Sequence, residues 1–301
     1  MSATSNDLRG GALVLNKPAG ITSHDAVAKI RKLYGTKKVG HTGTLDPMAT
    51  GVLVILVGRA VKLSEILTAG RKKYRAKMCL GVRSDTEDTT GTLTYSDAPI
   101  PDKKAVLEAV RSFTGDIMQV PPMYSALKTG GQKLVDLARR GITVEREARH
   151  VKIYSISAEG EGSEYTLDVE CSKGTYIRTL CADIGEKLGC GAVMGALDRL
   201  EACGFGKDKA YELSDLEKMT PEEREGALIG CEELFASCPS VVLPPFYTRL
   251  ALNGCEIYQN KIHAFFTAGT LLRVYGSDGF IGLGEVIAFP DGDAIKIKIF
   301  L

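Results

Sequence analysis

The spacing of hydrophobic and polar positions changes several times along the chain, and each change predicts an element. Ala12 to Asn16 is a short apolar run closed by Lys17-Pro18-Ala19-Gly20, which reads as a strand and its turn. Thr22 or Ser23 can cap an amphipathic helix that continues to Leu33. Val52 to Val57 is an unbroken apolar run, the pattern of a buried strand, and Val61 to Leu67 has helical spacing that ends near Gly70. Tyr74 to Val82 alternates as a strand does, and Asp102 to Phe113 returns to helical spacing before stopping at Gly115. Val151 to Ala158 and Tyr165 to Cys171 read as paired strands across the turn Glu159 to Gly162. Thr175 can cap a helix through Leu188, closed by Gly189. Strands and helices mix without a strict βαβ rhythm, which predicts an α+β fold with a mixed, mostly antiparallel sheet flanked by helices.

Two stretches depart from this pattern. Residues 128–150 hold Gly130-Gly131, a short helical pattern from Lys133 to Arg140 and many charges, as a mobile insertion over a cleft would. Ser237 to Pro245 has the composition of a linker. Strand-like runs follow at Gly269–Tyr275, Gly279–Ile287 and Ala294–Ile299. The chain therefore divides into a tail (1–10), a main domain (11–236), a linker (237–246) and a small β-rich domain (247–301).

Composition narrows the class. The 301 residues are 44% hydrophobic with a net charge of +1, as in a globular protein. No apolar run approaches the length of about 20 residues needed to cross a bilayer, and the polar N-terminus lacks the apolar core of a signal peptide. A cytoplasmic protein with no membrane association is expected. The eight cysteines form no CxxC pair and only four histidines accompany them, which argues against structural zinc and for reduced thiols that fill space. Charge is uneven. Arg31-Lys32, Lys37-Lys38, Arg71-Lys72-Lys73, Arg75 with Lys77, and Arg139-Arg140 are basic, while Asp215 to Glu233 is acidic. Such polarity would steer a polyanion, and an ordinary mixed surface is the alternative.

The densest chemistry lies in Gly40-His41-Thr42-Gly43-Thr44-Leu45-Asp46-Pro47-Met48-Ala49-Thr50-Gly51-Val52-Leu53. Its glycines let backbone turn or approach a ligand, and His41, Thr42 and Thr44 supply donors and acceptors beside one acid. Asp46 followed by Pro47 fits a helix N-cap with proline at the first helical position, and it equally fits an acid presented from a tight loop. Those residues resemble the signature of the bacterial tRNA pseudouridine-55 synthases, the TruB family, and more loosely dyskerin. Further matches follow in order: Val14-Leu15-Asn16-Lys17-Pro18-Ala19-Gly20, Lys73-Tyr74-Arg75, Pro121-Pro122-Met123-Tyr124-Ser125-Ala126-Leu127-Lys128, Ser172-Lys173-Gly174-Thr175-Tyr176-Ile177-Arg178 and Leu197-Asp198-Arg199-Leu200. They span roughly residues 11–206.

The resemblance implies a pseudouridine synthase fold, a thumb-like RNA-gripping loop at 128–150 and a PUA-like C-terminal module. It also implies an isomerase that needs no cofactor, metal or protein partner and acts as a monomer on the T-arm of tRNA. A guide-RNA-dependent synthase and a non-catalytic RNA chaperone are the rival readings. Asp46 is then the catalytic carboxylate, paired with Arg178. It attacks the sugar, adds to the ring or removes a 2′ proton, and all three roles require the ionised form. Burial raises a carboxyl pKa and a guanidinium beside it opposes that rise. A cation at a helix start runs against the helix dipole, so an arginine there calls for a specific partner. By the same resemblance Tyr74 stacks on the uracil and is a candidate C5 base, Tyr176 lines the pocket, and His41 enters the RNA loop. Leu127 and Leu197 pack around the base, Thr42, Gly43 and Tyr124 are substrate or RNA contacts, Lys17, Lys128, Lys173 and Arg199 are phosphate or pocket contacts, and Asp88 is either a pocket acid or the anchor of an Asx-turn.

Overall fold

The computed structural model describes residues 10–301, so the expected N-terminal tail, Gly10 apart, lies outside the described residues. An eleven-stranded sheet forms the body. Its main path runs Tyr211–Glu212, Gly11–Lys17, Thr50–Val57, Ala192–Ala202, Lys72–Leu80, Glu164–Cys171, Arg149–Glu161 and Gly115–Gln119. Pairing is antiparallel except where Tyr211–Glu212 meets Gly11–Lys17 and where Thr50–Val57 meets Ala192–Ala202.

The unbroken apolar run at 52–57 has a simple cause: the sheet is covered on both faces there. Leu13, Leu15, Leu53, Ile55 and Val57 join a core with Ile30 of helix Ser23–Leu33 and Leu180 and Ile184 of helix Ile177–Leu188. Ala12, Val14, Val52, Val54 and Leu56 point the other way, into a second core with Leu63, Phe235 and Leu283. Each such leucine contributes about 1.5–3 kcal/mol on burial. Strand Lys72–Leu80 is covered on one face only. Tyr74, Ala76, Met78 and Leu80 are buried, while Lys73, Arg75 and Lys77 face solvent.

Several expectations hold and several need correction. Thr22, not Ser23, caps the first helix, in a reciprocal capping box with Asp25. The segment at 61–67 begins as a 3-10 helix, Gly58–Leu63, and becomes α-helical only at Ser64–Thr68. The paired strands extend to Glu161 and Glu164, so the turn is Gly162-Ser163 rather than 159–162. Thr175 does not cap its helix. Its hydroxyl bonds the Ser172 carbonyl, and Tyr176 holds the cap position. Gly189 closes the helix in the left-handed region, as expected. The periodicity gave no sign of Gly115–Gln119 or of Ala192–Ala202, yet the latter lies at the centre of the sheet.

In the insertion, Gly130-Gly131 turn the hairpin Lys128–Thr129 with Gln132–Lys133, and helix Leu134–Ala138 buries Leu134 and Leu137. The C-terminal part forms a five-stranded sheet in the order Ser240–Val242, Leu271–Gly276, Gly279–Phe289, Gly292–Phe300, Ile257–Tyr258. Residues 240–242 are thus an edge strand, not a loose connector, because their partner lies some thirty residues downstream. Leu243, Val274, Val286 and Ile295 form a local core, while Leu283 and Ile299 reach the back of the large sheet. No helix of the described residues is long and apolar enough to cross a membrane.

Candidate active site

Asp46 does not cap a helix. The chain turns once at Pro47-Met48 and enters strand Thr50–Val57. Its loop is held from several directions. The buried Ser23 hydroxyl accepts from Leu45 N (2.9 Å) and donates to Leu45 O (3.1 Å). Gly20 N donates to Pro47 O (2.8 Å), and Lys17 Nζ donates to Pro18 O, Ile21 O and, at 3.4 Å, Pro47 O. Arg199 donates from Nε to Val52 O (2.7 Å) and from Nη2 to Gly43 O (3.0 Å). Gly51 makes the close approach of Ala192–Ala202 possible. Its φ is +104°, and a Cβ there would lie 2.3 Å from the Arg199 carbonyl oxygen.

The loop brings Asp46 to Arg178, the second residue of helix Ile177–Leu188. Arg178 Nε lies 2.9 Å from Asp46 Oδ2 and Nη2 donates to Oδ1 at 3.1 Å, a two-pronged pair. The other nitrogens reach backbone as well: Nη1 donates to Thr86 O (2.9 Å) and Nη2 also donates to Tyr124 O (2.9 Å). Asp88 Oδ2 stands 3.7 Å from Nε. The guanidinium side chain is 5% exposed and the Asp46 side chain 32%, so the cation is sealed while the acid keeps an open edge. Gln119 fixes the helix start. Its buried carboxamide accepts from Tyr176 N (2.8 Å) and donates to Tyr176 O (3.1 Å). Sequence reasoning missed Gln119 and the role of Ser23, since neither partner is local.

Charge at the site differs from expectation in one respect. Burial pushes the Asp46 carboxyl above its ordinary value, Arg178 pulls it back, and Asp88 adds to the rise, with the net direction upward. The guanidinium therefore limits the rise rather than reversing it. Burial also raises the phenols of Tyr74 and Tyr176, both close enough to Asp46 to feel its charge. Burial thus favours the neutral phenol at both positions.

The other expected residues divide into two groups. Lys17 and Arg199 are 0% and 1% exposed and bonded to carbonyls, so neither is a phosphate contact. Burial lowers the Lys17 ammonium to about 8. Thr42 is buried, accepting from Cys203 Sγ at 3.1 Å, and Leu197 belongs to the main core. Asp88 anchors an Asx-turn, accepting from Thr90 N (2.9 Å), and its other carboxylate oxygen stands beside Arg178. Gly43 lends its carbonyl to Arg199, Tyr124 its carbonyl to Arg178, and Leu127 its carbonyl to Leu134 N. Half-buried His41 accepts from Gly43 N through Nδ1 and meets the His24 ring edge-on, and burial lowers it to about 4. Lys128 and Lys173 are exposed. Of the basic clusters, Arg71, Lys73, Arg75 and Lys77 pair with Glu170, Glu201, Asp168 and Glu164 across strands on the solvent face. Lys72, within that run, is buried and bonds Thr68 O and Gly70 O.

A mixed sheet thus supports a loop and a helix start that bring Asp46 and Arg178 together. Residues 31–177 match the N-terminal domain of the TruB family pseudouridylate synthases, and residues 178–234 match the tRNA pseudouridylate synthase B C-terminal domain. The chain belongs to the TruB family, whose reaction is an isomerisation because uridine and pseudouridine contain the same atoms. The tRNA pseudouridine synthase B of Alkaliphilus oremlandii is 43% identical over 96% of this chain and 97% of its own length. The protein of the same name from Aromatoleum aromaticum is 42% identical over 91% and 88%. Among solved structures, a chain from a Cbf5-Nop10-Gar1 complex superimposes with a TM-score of 0.72 at 27% identity, covering 98% of this chain and 86% of that one. A chain of an H/ACA RNP bound to a substrate RNA containing 2'-deoxyuridine gives 0.70 at 25% identity, covering 98% and 86%.

Proposed function

We propose that this protein converts the uridine at position 55, in the T-arm loop of tRNA, to pseudouridine, acting alone in the cytoplasm as a monomer. The observation that carries the reading is the pairing of Asp46 with Arg178: a carboxylate clamped along one edge and open along the other. In the reaction the N1–C1′ bond breaks, the freed uracil turns, C5 bonds to C1′, and the proton lost from C5 is matched by one taken up at N1. Asp46, ionised, initiates this from its open edge, whether at the sugar carbon, at the ring or at the 2′ proton. Arg178 fixes its direction through two bonds, and the Thr86 and Tyr124 carbonyls fix Arg178 in turn.

The target base has to leave its stack. Extrusion costs a few kcal/mol, and one base–aromatic stack contributes about 1–3 kcal/mol. Tyr74 offers that stack, Tyr176 closes the pocket, and His41 occupies the space the base vacates. A neutral imidazole suits this last task, since it requires a flat ring rather than a charge. Exposed Lys128 and Lys173, with the 128–150 thumb, hold the backbone, and the C-terminal sheet serves as a PUA-like RNA module. Binding of this kind can also help tRNA fold, independently of Asp46.

The likeness to a Cbf5 complex favours a second reading, in which partner proteins and a guide RNA select the uridine. Relatives above 40% identity named tRNA pseudouridine synthase B favour tRNA as the substrate. Purified protein and a naked tRNA transcript separate the two, with pseudouridine mapped by position. Modification at position 55 alone is expected. No product until partner proteins or guide RNA are added would overturn the stand-alone reading.

A further inference from the structure

Glu87 has no part in the scheme above, yet its geometry is unusual. It is a non-glycine residue with φ +63°, in the left-handed region where a side chain of this size carries strain. It lies between Thr86, whose carbonyl accepts from Arg178, and Asp88, whose carboxylate stands beside the same guanidinium. Its own carboxylate accepts a short bond from the hydroxyl of Thr179, the residue after Arg178 and itself 4% exposed. Glu87 O also accepts from Met194 N at 3.1 Å, tying the loop to the central strand. Three consecutive residues of one loop thus grip two consecutive residues at a helix start.

We propose that Glu87 is a positioning residue for the Asp46–Arg178 pair: its bond to Thr179 locks the 84–91 loop onto the first helical turn, so that the Thr86 carbonyl and the Asp88 carboxylate keep the guanidinium in the orientation that presents Asp46. The strained backbone persists because the clamp and the Met194 bond determine it from both sides. This inference rests on the catalytic reading of Asp46.

The test uses the full-length protein and a tRNA transcript, with single-turnover rate and tRNA affinity measured separately. Thr179→Val keeps the shape and removes the donor, while Glu87→Ala removes the acceptor. Each should lower the rate about tenfold, the range expected for a hydrogen bond to a charged group, and leave tRNA affinity unchanged. Combined, they should lose no more than either alone, since both break one contact. Glu87→Gln, which still offers an oxygen to Thr179, should recover most of the rate. Thr179→Ser provides a second rescue should Glu87→Ala fold poorly. Full rate in Thr179→Val, losses that multiply in the double variant, or losses confined to affinity would each overturn the proposal. Asp46→Asn run beside them keeps the two levels apart. If it is inactive while Thr179→Val is unimpaired, the positioning role alone fails. If it is active, the catalytic reading fails first.

Discussion

Two sets of cations, one on the open face of the large sheet and one around the Asp46 loop, behave in opposite ways. On the solvent face of strand Lys72–Leu80, Arg71, Lys73, Arg75 and Lys77 form cross-strand pairs with carboxylates. Around the Asp46 loop Lys17, Arg178 and Arg199 are buried, and Lys17 and Arg199 bond carbonyl oxygens of that loop or of its flanks. The first set is dense in sequence and weak in energy, because exposed pairs are screened by water and salt. The second is scattered over 180 residues and structurally decisive, because a buried donor has no water to fall back on. Density of charge along the chain is therefore a poor guide to where charge matters.

Substitutions can break this contrast. Among the cations the largest effect should come from Arg178→Lys, which keeps the charge and loses the two-pronged geometry. Single-turnover pseudouridine formation should fall about a hundredfold, the cost of a misplaced reacting group, with tRNA binding unchanged in a filter or fluorescence assay. Next is Arg199→Met, which leaves the Val52 and Gly43 carbonyls without their donor. Chemical denaturation should show a loss of about 2–4 kcal/mol.

The buried set also explains what the sequence concealed. Helix Ser23–Leu33 was legible because its capping box is local, and Thr50–Val57 because two covered faces impose an unbroken apolar run. Strand Ala192–Ala202 was not. Register shifts at Met194/Ala196 and Arg199/Glu201 break its alternation, and Gly195, Asp198 and Arg199 dilute its apolar character. The pairing of Asp46 with Arg178 was legible only through family motifs, since 132 residues separate the partners. The supporting bonds of Ser23, Gln119 and Thr179 carry no local pattern at all.

A smaller effect should appear with pH. His41 is held at about 4 against an ordinary value of 6.5. Between those values the unfolded chain takes up a proton that the folded chain refuses, so stability contributed by the neutral ring is present above pH 6.5 and lost as pH falls toward 4. Half-buried Asp183, raised to about 6, opposes this slope, because its folded form holds the proton longer. Comparing wild type with His41→Gln isolates the histidine: thermal melts should show a shallower acid-side decline in the variant. The smallest effect belongs to the solvent-face ladder. Arg75→Gln should leave both melting temperature and turnover within error, and a clear loss of turnover would mean that this face meets RNA after all.

The central claim is that one carboxylate, gripped by Arg178, performs the isomerisation. Single-turnover assay of Asp46→Asn on a tRNA transcript, with affinity measured on the same preparation, tests it most directly. The variant should bind tRNA as tightly as wild type and form no pseudouridine, a loss of about 10⁴-fold or more. Product at a rate near that of wild type would contradict the account.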